Sequence, residues 1–133
     1  MFIVFFMIDE NHFIADLHLH SKYSRACSKD LTIENLVKWA KIKGLNILGT
    51  GDFTHPIWIN EIKKLEPNGK GFYFFTDSDG KKFPFVITGE ISFIYTANGK
   101  GRKVHLNLLL PSVEIADEIN AFSTEIHDKK YTT

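Results

Sequence analysis

Apolar and polar residues alternate most clearly in Phe13 to His20, "FIADLHLH". Period two is the strand period, so successive side chains point to opposite faces. Asp16, His18 and His20 then share one face, and Ala15, Leu17 and Leu19 the other. From Thr32 the period changes: Ile33, Leu36, Val37 and Ala40 fall at helical spacing. Thr32 suits the N-cap of that helix and Gly44 the residue just past its end. "LNILGTGD", Leu45 to Asp52, reads as a short buried strand. Strand, helix and strand in succession form a βαβ unit, which requires a parallel pair. A second helix is predicted from Pro56 to Glu66, with Trp58, Ile62 and Leu65 on one side. Beyond the turn "PNGKG" the pattern is strand-rich: "FYFFT", the hairpin signal "DSDG", then Phe83 to Thr96, the turn "ANGKGRK" and Val104 to Leu110. A last helix is predicted after Pro111, with Ile115, Ile119, Phe122 and Ile126 as its apolar stripe. The opening "MFIVFFMI" is too short to span a bilayer and lacks a basic leader, so an extra strand or an early start codon accounts for it. Residues 1–12 are thus read as an extension, 13–126 as the domain and 127–133 as a frayed tail.

The bulk numbers narrow the function. The chain has 133 residues, 44% of them hydrophobic, enough for one domain with a core. Sixteen basic residues balance sixteen acidic ones, which argues against a sequence-independent nucleic-acid coat but not against a nuclease with a local site. The single cysteine, Cys27, excludes an internal disulfide framework and suits a reducing cytoplasm.

The metal-capable residues gather near predicted strand ends: His18 and His20 on the first strand, Asp52 and His55 in "GTGDFTH", Glu90 in "ITGEIS" and His105 in "VHLNLLL". Imidazole and carboxylate suit Zn, Mn or Fe, and a carboxylate able to bridge two cations is what a two-metal hydrolytic site needs. Plainer readings stand beside these. A single histidine is more often a surface or satisfied core residue, Asp52 would equally serve to cap the next helix, and Glu90 fits a surface position on a hairpin. His12 and His127 have no supporting context. Lys22, Arg25 and Lys29 in the loop "SKYSRACSK" could position phosphates, with Tyr23 available for stacking, or they form a solvated basic loop.

"DLHLHSKYS", "LGTGDF", "ITGEIS" and "VHLNLLL" resemble successive motifs of the PHP (polymerase and histidinol phosphatase) superfamily, and the first two motifs are most similar to the endonuclease Q family of DNA-repair nucleases. The resemblance runs from about Phe13 to about Phe122. It implies an α/β fold, the N-terminal portion of a distorted PHP-type β/α barrel that is truncated here, with a cluster of two or three divalent ions (Zn, Mn or Mg) in the complete domain. It further implies that His18 and His20 ligate one ion, that Glu90 bridges it to a second held by His105, and that Asp52, with His55 as a substitute ligand, belongs to the second-motif set. Asp52 and Glu90 are the catalytic carboxylates of this reading, and Lys22, Tyr23 and Arg25 its phosphate or DNA contacts. The implied reaction is cleavage of DNA on the 5′ side of deaminated bases or abasic sites, by metal-activated water, in a soluble cytoplasmic protein with no membrane partner. Phe53 departs from the superfamily pattern, which has a histidine there, and no counterpart of the later ligand motifs follows Leu110. An incomplete barrel would leave unpaired sheet edges and an exposed apolar face, predicting self-association or completion by a missing C-terminal half. Two rivals remain: a small-molecule phosphatase on the same fold, and a non-catalytic metal-binding fragment.

Overall fold

The structure is a computed structural model that describes residues 3–8 and 11–130, with side chains described from 13 to 124. Ten elements follow in chain order: β1 Ile3–Ile8, β2 Asn11–Asp16, α1 Ile33–Lys43, β3 Ile47–Gly49, α2 Pro56–Ile62, β4 Glu66–Pro67, β5 Tyr73–Thr76, β6 Lys82–Ala97, β7 Lys100–Leu110 and α3 Val113–Lys130. The apolar opening is indeed a strand, paired antiparallel with β2 from Ile3↔Asp16 to Ile8↔Asn11.

The βαβ unit stands as the periodicity predicts. β2 and β3 are parallel, with Ala15 opposite Ile47, and α1 crosses between them. Thr32 Oγ1 accepts from the Asn35 N–H at the start of α1, and Gly44, at φ 72°, closes it in the left-handed conformation. β3 is parallel to β6 in turn, and β6 carries β5 antiparallel at its start and β7 antiparallel along the rest. The sheet order is β1-β2-β3-β6-β5-β4, with β7 added to β6. This is a mixed α/β architecture whose sheet does not close among the described residues.

The helices cover one face of the sheet. Leu48, Phe83, Phe85 and Ile87 meet Leu36, Val37 and Ala40 of α1, Trp58 and Ile62 of α2, and Ala116 of α3 in one buried cluster. The other face presents Phe13, Ala15, Leu17, Ile47, Phe74 and Val86 around an apolar hollow of about 540 Å³.

Four expectations change. β7 begins at Lys100 rather than Val104, so the turn before it is Asn98–Gly99 and not the whole of "ANGKGRK". The first strand ends at Asp16 rather than His20. α2 stops at Ile62 rather than Glu66, although Trp58, Ile62 and Leu65 are all buried as predicted. The stripe on α3 is only partly an apolar contact. Ile115 and Ile119 pack against the core, but Phe122 is exposed, because among the described side chains α3 meets the core over its first two turns, where Ala116 is buried; the side chains of Ile126 and His127 lie outside the described residues. No described helix is long and apolar enough to cross a membrane.

Candidate metal centre

The strand break at Asp16 shapes the site. Asp16 is buried and its carboxylate accepts from the N–H of His18 at 3.3 Å, a local bond of the kind aspartate uses to turn a chain out of regular structure. Asp16 thus makes a local backbone contact, and the strand alternation that would align it with His18 and His20 ends at this residue. Leu17 to His20 then runs past the end of β3 and beside the middle of β6. It passes so close that a Cβ on Gly49 would lie 2.8 Å from the Leu17 carbonyl oxygen, and one on Gly51 2.2 Å from that of Leu19. Glycine is required at both places for the histidine segment to reach the site.

His18, His20 and Glu90 meet there, with one ligand atom from each lying within 4.8 Å of the others. His18 Nε2 is 2.7 Å from Glu90 Oε2, and His105 Nδ1 contacts the other oxygen, Glu90 Oε1. One carboxylate thus spans two imidazoles brought from residues far apart in the chain. The bond with His105 holds the Glu90 carboxyl below the usual carboxylate range; burial opposes this, and the bond with His18 adds to it. Ser92 Oγ lies 3.1 Å from His105 Nδ1. The register explains the grouping: Glu90 lies opposite Asn107, and Ser92 opposite His105, on the β6–β7 hairpin, and opposed residues share a face.

His20 turns to the next carboxylate. Its Nδ1 is 2.9 Å from Asp52 Oδ1, while Asp52 Oδ2 accepts from the Ser21 N–H at 2.6 Å and from Ser21 Oγ at 2.7 Å. Asp52 has φ 45°, a conformation that few residues other than glycine adopt. A buried network holds it there. Thr88 Oγ1 accepts from the Gly51 N–H at 3.0 Å, Thr50 Oγ1 accepts from the Thr88 N–H at 3.1 Å, and Trp58 Nε1 donates to the Thr50 and Gly51 carbonyls, each at 3.0 Å. The Asp52 carboxylate bonds His20 and Ser21 rather than the first turn of α2; the N-cap is His55, with no side-chain cap bond.

The remaining candidates stand apart. His55 stacks on Tyr23, with ring centroids 4.4 Å apart and an interplanar angle of 12°, and its Nδ1 is buried with no hydrogen-bond partner among the described residues. It is not in the His18–His20–Glu90 group. Tyr23 OH donates to Glu61 at 2.8 Å and Lys22 Nζ is 3.0 Å from the same carboxylate. These bonds raise the Lys22 and Tyr23 pKa values, and they outweigh burial to lower that of Glu61. Of the loop cations, Arg25 and Lys29 are exposed. Phe53, where the superfamily has a histidine, is fully buried and packs so tightly on β6 that a Cβ on Gly89 would lie 2.5 Å from its ring. It is a core residue.

Several functional neighbours escaped the sequence reading. Glu61, Ser21 and Thr88 gave no local signal, because their partners lie on other elements. Asn107 did give one: it is polar two positions after His105 on an apolar strand, hence on the same face. It donates from Nδ2 to the Leu17 carbonyl at 2.8 Å, tying β7 to the histidine segment.

Comparison with known proteins places this geometry. No family model matches the chain. An uncharacterized protein of Methanocaldococcus jannaschii is 39% identical over 104 residues, covering 78% of this chain and 10% of that protein. The fold is similar to the crystal structure of the lesion-specific endonuclease PfuEndoQ from Pyrococcus furiosus, with TM-score 0.62 and 33% identity over 80% of this chain and 24% of that one. It is also similar to an endonuclease Q in complex with a 27-mer duplex substrate carrying an abasic lesion at the active site, with TM-score 0.61 and 33% identity over the same shares. The chain therefore spans about a quarter of the solved chains and a tenth of the curated relative.

Proposed function

We propose that this chain carries part of the active site of a PHP-type, metal-dependent phosphodiester hydrolase resembling endonuclease Q, which nicks DNA 5′ to deaminated bases or abasic sites in DNA repair. The observation that carries the reading is the convergence of His18, His20 and Glu90 within 4.8 Å on a fold similar to a lesion-specific endonuclease. The donor set fits a divalent ion such as Zn or Mn: two imidazoles and a carboxylate are ligands such ions favour. His18, His20 and Glu90 would hold one ion, Glu90 and His105 would hold a second, and Asp52 would belong to the set beside His20. Such ions supply Lewis acidity and a bound water of lowered pKa.

The chain's own residues do the rest. The Ser21 bonds fix the Asp52 carboxylate, and Asp52 orients the His20 ring. Asn107 sets β7 against the His18 segment, so that His18 and His105 take opposite oxygens of Glu90. Arg25 is exposed in the loop that follows His20 and is the cation proposed to meet a phosphate, whereas Lys22 and Tyr23 brace the loop on Glu61. The single free cysteine fits a reducing cytoplasm.

The test is a nicking assay on duplexes carrying uracil, hypoxanthine or an abasic site, with Mn or Zn. A 5′ nick that EDTA and a His18→Ala/His20→Ala variant both abolish supports the reading. Hydrolysis of a simple phosphomonoester with no nicking would select the phosphatase instead.

A further inference from the structure

β6 and β7 continue past the site as a two-stranded arm. From Glu90 the pairing runs on to Ala97↔Lys100, seven residues, or about 24 Å at 3.4 Å per residue. Beyond Ile91 β6 and β7 pair only with each other among the described residues, and Phe93, Ile94, Tyr95, Val104 and Leu106 are all exposed. Its charge is one-sided. Between Ile91 and Val113 there is no acidic residue, while Lys100, Arg102 and Lys103 cluster at the tip, in a chain whose sixteen basic and sixteen acidic residues cancel only with these three included. Among the described residues none of the three forms an ion pair, whereas Lys22, Lys41, Lys63 and Lys82 all do.

The register relates the arm to the site. Glu90, Ser92, Ile94 and Thr96 share one face with Asn107, His105, Lys103 and Gly101. Lys103 is therefore two residues beyond His105 on the face that carries the metal-capable cluster, about 7 Å along the strand. Lys100 and Arg102 project from the opposite face, so the tip is cationic on both sides.

We infer that the β6–β7 arm is a backbone clamp for duplex DNA, in which Lys103, Arg102 and Lys100 bind phosphates of the segment flanking the bond held at the His18–His20–Glu90 site. A duplex rises about 3.4 Å per base pair, so an arm of this length tracks roughly seven base pairs. Three unpaired cations and no carboxylate complement that polyanion without reading sequence. The assignment of the scissile bond to the cluster rests on the proposed function; the binding of DNA by the arm does not.

The experiment measures the affinity of the full chain for a 27-mer duplex between 50 and 200 mM salt. It compares wild type, Lys100→Ser/Arg102→Ser/Lys103→Ser and His18→Ala/His20→Ala, with a melting curve for each. Each phosphate contact contributes about 0.9 to the slope of log affinity against log salt. The arm variant is expected to melt like wild type and lose nearly three from that slope, so that its affinity changes roughly 40-fold less over this range. A Lys100→Arg/Lys103→Arg variant should retain the wild-type slope. In EDTA, where no metal contact to the phosphate can contribute, the histidine variant should show the salt slope of wild type, even if the nicking activity proposed above proves absent. An arm variant with wild-type affinity and slope overturns the inference. So does wild type that binds no DNA, including the case where the arm residues instead govern binding to vesicles of anionic lipid.

Discussion

The two halves of β6 have similar composition and opposite fates. Residues 82–89 pair in turn with β5 (82–85), β3 (85–86) and the end of β7 (87–89), and Phe83, Phe85, Ile87 and Thr88 are buried. Residues 90–97 pair with β7 alone, and Phe93, Ile94 and Tyr95 stand in solvent. Both halves are rich in aromatic and β-branched residues, as strands are. What separates them is cover by the helix-packed core, and the candidate site sits where that cover ends. Glu90 is the first residue of the exposed half. It is fixed from behind by the buried half and open in front to His18 and His105. A metal-capable carboxylate needs both conditions: rigid backbone and an unfilled face.

Substitutions can break that comparison. Truncating the fully buried Phe85 to Ala should cost about 3–5 kcal/mol, the range for a core aromatic. Urea unfolding would show it as a lower midpoint with an unchanged slope. Gly89→Ala, next to Glu90 but still in the buried half, would drive a methyl against the Phe53 ring. A loss of about 1–3 kcal/mol is expected, the range for overpacking, together with weaker metal binding as Glu90 shifts.

At the junction the effect takes the form of a pH dependence. The Glu90 carboxyl is held below its usual range, chiefly by His105. A lowered folded-state value means the contribution is complete above the ordinary glutamate pKa of about 4.3 and is lost as pH falls through the folded value. In metal-free protein, Glu90→Gln should therefore flatten the decline in urea midpoint below about pH 5; identical wild-type and variant profiles would show that the His105 contact contributes nothing. Smallest of all is Phe93→Ala on the arm, expected within about 0.5 kcal/mol, as for exposed positions. A loss comparable to that of Phe85→Ala would mean the two halves do not differ.

The same contrast shows what the sequence could reveal. Local chemistry was legible. Thr32 and Gly44 bound α1 as expected, Asn98 and Gly99, with φ 53° and 71°, make the turn between β6 and β7, and "DSDG" joins β5 to β6. The pairing of β2 with β3 followed from the βαβ pattern. The register of the hairpin brings the candidates Glu90 and His105 onto one face, and the same alternation carries Asn107 there. Three things were not. Asp16 belongs to the alternating pattern, yet its carboxylate bonds to its own backbone, and nothing in the period distinguishes a ligand from a turn-former. Phe122 matches the helical stripe, but a stripe is buried only where a partner exists, and α3 meets the core at one end. Lys22 and Tyr23 read as free contacts because Glu61, which holds them, lies far along the chain on α2.

The most direct measurement is calorimetric titration of the metal-free chain with Mn or Zn, for wild type, His18→Ala/His20→Ala and Glu90→Gln, with metal content of the purified proteins alongside. The account predicts at least one bound ion in wild type, its loss in the histidine variant and a weakening of about ten-fold or more in Glu90→Gln, the scale of losing a ligand or its support. Equal binding by all three, or none by wild type, would contradict it: the His18–His20–Glu90 grouping would then be a hydrogen-bonded cluster and not a metal centre.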